Sequence, residues 1–315
     1  MISLEVLILI TIASPLLVCL LTPFLSSKPI LRDILGPMGG IISSWGAIQL
    51  MVSVLNGDQP RLELLQIAEG ISISFVVTPL GAVFGLVASV LWIFAAIYSV
   101  GYMRGNKEAN QTRFYVFYAM AVHAALCIAY AGDLLTLFIF YEVLTFSTYP
   151  LVTHKQNELA QKAGRLYMSI LVGTSVILLL PAIIWVWVVT GSLEMSQNGV
   201  LDGNLNPEYA PYLLAMFVFG IGKAALIPIH KWLPAAMVAP TPVSALLHAV
   251  AVVKAGVFTM LLILTNVFGI EFLSKTGASN WLVWLASFTL LTTSIIAIYK
   301  DDLKARLAYS TISQL

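Results

Sequence analysis

The stretch Phe219-Gly-Ile-Gly-Lys223-Ala-Ala-Leu-Ile-Pro228 puts a lysine about 13 residues into an apolar run that opens near residue 210. A charge held at the centre of a bilayer costs about 2.5–3.5 kcal/mol on insertion scales, so such groups are kept for function and are paired. Pro228 has no N–H and cannot bond the carbonyl of Ala224, one turn back. Gly220 and Gly222 loosen the same turn. A helix interrupted beside an intramembrane lysine is a device for building an ion site. The competing reading is a lysine that snorkels to the interface. The depth of Lys223 in the run argues against that reach.

The run is one of many. Of 315 residues, 59% are hydrophobic and 10% are charged. Soluble globular domains carry about 25% charged residues. The apolar excess must therefore face lipid, which predicts an all-α polytopic membrane protein. Nine stretches are long enough to span: 4–24, 34–55, 79–102, 113–131, 133–153, 165–190, 210–229, 243–265 and 280–299. Residues 61–77 differ. Ile71-Ser-Ile-Ser-Phe75 alternates apolar and polar and predicts a short strand outside the membrane. The loop 191–209, rich in Asn, Gly, Ser and acid, reads as a solvated connector.

Basic residues set the orientation. With nine helices, twelve of the Lys and Arg residues fall on one side and only Arg61 and Lys275 on the other; Lys223 and Lys254 lie inside spans. The basic side is cytoplasmic by the positive-inside rule, which places the N-terminus outside. The first run, Leu4 to Leu21, has no basic region before it and no small-residue cleavage site, so it reads as a retained helix. The net charge of +1 gives no pointer to nucleic acid. Cys19 and Cys127 lie in apolar runs without metal-ligand spacing and read as packing residues.

Three further titratable groups stand out within spans. Glu142, in Leu137-Phe-Ile-Phe-Tyr-Glu142, falls about nine residues into its helix, near the midplane. It is a proton-handling carboxylate or a structural one bonded between helices. Lys254 falls about 11 residues into the run 243–265, with His248 one and a half turns nearer the cytoplasmic end. Histidine exchanges protons near neutral pH, so His248 between two intramembrane lysines reads as part of a relay, the alternative being a satisfied core residue. His123 is open between the same two readings, while His230 and Lys231 read as interface residues. No catalytic triad, phosphate loop, CxxC pair or metal cluster is present in the sequence. Titratable groups in a row favour ion translocation over bond-making chemistry, with no cofactor and no metal.

The run from Lys223 through Ile229-His-Lys-Trp-Leu-Pro234 and Ala239-Pro-Thr-Pro-Val-Ser-Ala-Leu-Leu-His248 resembles the signature of the antiporter-like subunits. These are shared by multisubunit Mrp cation/proton antiporters, respiratory complex I and membrane-bound hydrogenases. Gly132-Asp-Leu-Leu-Thr-Leu-Phe-Ile-Phe-Tyr-Glu142 and Asp302-Leu-Lys-Ala-Arg-Leu-Ala-Tyr-Ser-Thr-Ile-Ser-Gln314 look like the same family. The resemblance implies inverted five-helix repeats. It divides the chain into leading helices with the strand (1–111), a first proton-translocating repeat with a broken seventh helix (112–266), and the start of a second (267–315). The tail then reads as the opening of a further helix, so the chain is expected to be part of a longer protein. Glu142, Lys223, His248 and Lys254 match the family's relay positions, with Glu142 and Lys223 expected as a buried pair. Asp133 is left as a helix cap. The implied partners are other membrane subunits of a bacterial inner-membrane complex, protons, Na⁺ or K⁺, and lipid. Within the Mrp group, length points to a D-type subunit. Three functions remain open: a subunit of a monovalent cation/proton antiporter, a proton-pumping subunit of a complex I-like NADH:quinone oxidoreductase or hydrogenase, or a structural membrane subunit.

Overall fold

A computed structural model describes residues 3–315, the side chains of residues 249 and 250 excepted. Eight helices among the described residues are long and apolar enough to cross a membrane: α1 (Leu4–Leu21, continuing to Leu25), α2 (Pro29–Leu55), α3 (Pro79–Gly105), α4 (Gln111–Ala129), α5 (Leu134–Val152), α6 (Glu158–Thr190), α8 (Thr241–Phe268) and α10 (Asn280–Ile298). The ninth expected run, 210–229, is not a continuous helix: it holds α7 (Ala210–Gly220) and then short turns that continue as far as Val238. Two short helices, α9 (Ile270–Thr276) and α11 (Leu303–Gln314), complete the set. The expected strand is a two-stranded hairpin, β1 (Arg61–Ala68) and β2 (Ile71–Val76).

Local chemistry starts and stops these elements. Thr78 caps α3 by accepting from the Gly81 N–H, with Pro79 at the first helical position, where its missing N–H costs nothing. Asn157 caps α6 by accepting from the Ala160 N–H, and Gly191 ends that helix in the left-handed conformation at φ 73°. Large apolar side chains face outward, as lipid requires and water forbids: on α10, Trp284 is 79% and Ile298 73% exposed.

The chain forms two compact units. The first comprises residues 1–67, 72–155 and 239–252. In it α1 and α2 meet through small residues: the Ser14 hydroxyl donates to the Gly39 carbonyl at 2.7 Å, and the Ser43 hydroxyl donates to the Thr11 carbonyl at 2.9 Å. The hairpin docks on the start of α5 through Asp133. Its Oδ2 accepts from the Ser74 N–H (3.0 Å), the Ser74 hydroxyl (2.8 Å) and the Thr136 hydroxyl (2.7 Å), and its Oδ1 accepts from the Thr136 N–H (2.7 Å). Asp133 is thus the expected cap, and it also ties β2 to the helix bundle.

The helix α2 begins at Pro29, earlier than the apolar run at 34 suggests, because proline at the first helical position can open a helix with polar residues in the first turn. Arg32 and Asp33 therefore lie inside the fold, not in a loop. Asp33 accepts from Arg32 at 2.8 Å and from Arg104 at 2.6 Å, and Arg32 also donates to Gln111 at 2.9 Å. The guanidinium of Arg32 lies 5.1 Å from the Tyr115 ring centre. Apolarity alone could not find this cluster, since each residue in it lowers the hydropathy of its window.

The second unit comprises residues 68–71, 156–238 and 253–315. The hairpin tip belongs to it, with the Leu193 N–H donating to the Gly70 carbonyl at 2.9 Å. The fold within it turns on α6, which carries one wide π turn at Ser175–Leu179. Gly220, the last residue of α7, lies against that turn: a Cβ on it would come within 2.6 Å of the Leu179 nitrogen.

Candidate functional site

The interruption beside Lys223 begins earlier than Pro228 would place it. The helix α7 ends at Gly220, and Ile221, at φ −81° and ψ 62°, already leaves helical space. Gly222–Ala224 form a single tight turn, and Ala225 is left-handed at φ 56°. Pro228 lies within the unwound stretch and does not initiate it. Gly220 owes its place to the close approach of α6, and Lys223 belongs to the unwound segment itself, fully buried.

Backbone groups freed by the break have to find partners, since lipid offers none. The Trp232 indole N–H donates to the Gly222 carbonyl at 2.9 Å. The Ile227 N–H donates to the Thr289 hydroxyl of α10 at 3.3 Å. The Ile229 N–H donates to the Leu226 carbonyl at 2.7 Å. Gly256 of α8 abuts the lysine's own backbone: a Cβ there would lie 2.5 Å from the Lys223 carbonyl carbon and 2.8 Å from its oxygen. Only glycine permits that approach.

Glu142 lies in the first unit, in the middle of α5. Both of its carboxylate oxygens are shielded from solvent, and neither accepts a hydrogen bond from any described residue. A buried carboxylate without hydrogen bonds is costly and marks a functional group or a place for water. His248, also in the first unit, is 8% exposed and lies in a π turn, Leu246–Val250, early in α8. Such bulges recur at functional sites. His123, open between two readings, has Nδ1 2.7 Å from the Ile12 carbonyl oxygen, so that nitrogen carries a proton and the ring is a satisfied core group.

Lys254 lies within the span α8, as its place in the run predicts, and its side chain is exposed on the surface of the chain, between buried Val253 and Ala255. Counting residues along a helix gives depth, not facing; Lys254 falls on the outward stripe of α8 with Leu261, which is 43% exposed. Glu142 and His248 thus belong to the first unit, Lys223 and Lys254 to the second.

A bundle of apolar helices with a buried lysine on an unwound turn defines a polytopic membrane protein of the broken-helix kind. Residues 131–315 match the family model described as the transmembrane region of NADH:quinone oxidoreductase and Mrp antiporters, and residues 65–115 match that described as the N-terminus of chain 5 of NADH-ubiquinone oxidoreductase (complex I). The chain belongs to the NADH:quinone oxidoreductase/Mrp antiporter family.

Among curated relatives, antiporter subunit mnhA2 of Staphylococcus haemolyticus (strain JCSC1435) is 26% identical over 307 residues, covering 95% of this chain and 37% of the relative. The subunit of the same name from Staphylococcus aureus (strain MRSA252) is 32% identical over 242 residues, 75% of this chain and 29% of the relative. The chain spans about a third of the length of these relatives. Two solved structures share the fold. One is the membrane-bound sulfane sulfur reductase, an archaeal respiratory membrane complex, with a TM-score of 0.83 at 24% identity over 98% of this chain and 63% of that one. The other is the Mrp complex from Dietzia sp. DQ12-45-1b, with a TM-score of 0.75 at 22% identity over 99% of this chain and 33% of that one.

Proposed function

We propose that the chain is a proton-translocating part of a subunit of a multisubunit monovalent cation/proton antiporter, working with other membrane subunits in the cell membrane with its N-terminus outside. The observation that carries this reading is the fully buried Lys223 on the unwound stretch of a broken span, in a chain of this family. The names of the curated relatives and the fold shared with an Mrp complex support antiport. The fold shared with a respiratory complex supports a second reading, redox-driven proton pumping. In either setting Na⁺ or K⁺ movement or electron transfer takes place through partner subunits.

In the proton step, the Lys223 ammonium gives up one proton and becomes the neutral amine. The proton passes through water to a neutral acceptor, His248 or the amine form of Lys254, which becomes the charged form. The family resemblance gives Glu142 the role of counter-charge, and a negative charge beside an ammonium favours its protonated form. The exposed face of Lys254 suits a hand-over point, because an ammonium within a span needs a polar or hydrated neighbour and finds none in lipid.

The test is Lys223→Ala and Lys223→Arg in the full complex, with proton flux followed by a pH-sensitive dye in everted vesicles and assembly checked on native gels. Arginine keeps its proton at any working pH and cannot cycle it. Both variants are expected to assemble and to lose coupled proton flux. Wild-type flux in an assembled Lys223→Arg complex refutes the carrier role and makes the residue a structural cation.

A further inference from the structure

We propose that Trp232 is a positioning residue for the proton step: its indole N–H, held by the Gly222 carbonyl, is a clasp that keeps the lysine-bearing turn unwound. The inference rests on the reading of Lys223 as the proton carrier.

Gly222 and Trp232 are ten residues apart and bonded at 2.9 Å. In a continuous α-helix the same two residues would be separated by about 15 Å along the axis, beyond the reach of an indole. The bond therefore exists only while the segment between them is unwound. An interaction made in one conformation and not the other shifts the balance towards the first by its own strength. The contact is also well aimed. Trp232 is fully buried, and its ring meets the buried ring of Tyr167 at 5.5 Å, edge to face, which fixes the direction of the N–H. The accepting carbonyl belongs to the residue immediately before Lys223, so any movement of that carbonyl turns the peptide that carries the lysine. The Gly222 carbonyl also accepts from the Ala225 N–H at 3.1 Å, so the clasp and the tight turn share one acceptor. At the far end, the Thr289 hydroxyl holds the Ile227 N–H. The clasp thus joins the start of the unwound stretch to the short turn of residues 232–235 that follows it.

The experiment removes only the N–H. Trp232 is replaced in the full complex by β-(3-benzothienyl)alanine, a sulfur isostere of tryptophan without the donor, and in parallel by phenylalanine. Two readouts are taken: the pH at half-maximal proton flux in everted vesicles, and hydrogen–deuterium exchange of the peptide covering residues 221–228. One hydrogen bond of ordinary net strength corresponds to a shift of roughly half a pH unit to one unit. The expected result is that shift, with exchange of residues 221–228 accelerated several-fold and assembly unchanged. An isostere-substituted complex with wild-type exchange and a wild-type pH profile overturns the proposal, whatever the phenylalanine variant does. Lys223→Ala is run beside it. If that variant transports normally, the carrier reading fails, and exchange at 221–228 alone decides whether the clasp exists.

Discussion

Gly256→Ala is the sharpest perturbation of the geometry around Lys223. The added methyl would lie 2.5 Å from the Lys223 carbonyl carbon, where ordinary contact begins at 3.4 Å, so the two backbones must part by about 0.9 Å. Neither side yields easily, because the near atoms are main chain and not the far end of a flexible side chain. Overpacking of this kind costs about 1–3 kcal/mol, which a bundle of this size tolerates. Function is less forgiving: a misplacement of about 1 Å at a reacting group costs on the order of 100-fold. The expected outcome is an assembled complex whose proton flux falls by roughly ten- to a hundredfold. Gly101→Ala is the control, because nothing lies within 4 Å of a Cβ at that position, and it is expected to behave as wild type. Flux in everted vesicles, normalised to assembled complex on native gels, reads both. Wild-type flux in Gly256→Ala would refute the argument that the Lys223 backbone has to stay where α8 holds it.

Other outcomes follow from the same structure. Asp133→Asn removes a carboxylate oxygen that accepts three hydrogen bonds; at about 1.5–3 kcal/mol for bonds to a charged group, partly retained by the amide, the protein should lose roughly 2–4 kcal/mol, seen as a lower unfolding temperature in detergent, and an unchanged temperature would show that the hairpin is docked by other contacts. His154, buried at the end of α5 beside Arg113, is held below its usual value of 6.5 first by burial and then by the Arg113 charge. The folded state thus resists a proton that the unfolded state accepts, so stability is complete above pH 6.5 and falls as the pH drops through that value; His154→Gln should flatten the acid limb of a thermal-stability profile, and an unaltered limb would place the effect elsewhere. For orientation, Asp202→Cys should react with an impermeant thiol reagent applied to intact cells and Lys107→Cys should not, the native Cys19 and Cys127 being buried; labelling of Lys107→Cys from outside would overturn the orientation.

Composition and periodicity determined the fold class, because lipid imposes a requirement that can be read one residue at a time: some twenty apolar residues in a row for each crossing. The nine runs, the hairpin from the alternation at Ile71–Phe75, and the cap at Asp133 were legible for that reason. So was the lysine that matters most in the proposed function, since a charge deep in an apolar run stands out from its neighbours in the sequence alone. Facing and packing were not legible. Whether Lys254 points inward depends on which side of α8 its neighbours occupy. The break at Ile221 depends on Gly220 meeting the wide turn of α6, the closeness of Gly256 on how α8 crosses the Lys223 turn, and the clasp of Trp232 on the path of ten intervening residues. The cluster of Arg32, Asp33 and Arg104 joins residues far apart in the chain, and its members offset one another's burial cost only once folded. A one-dimensional pattern records how each residue partitions between water and lipid; where backbones touch and which charges pair are properties of distance, and only the tertiary structure decides them.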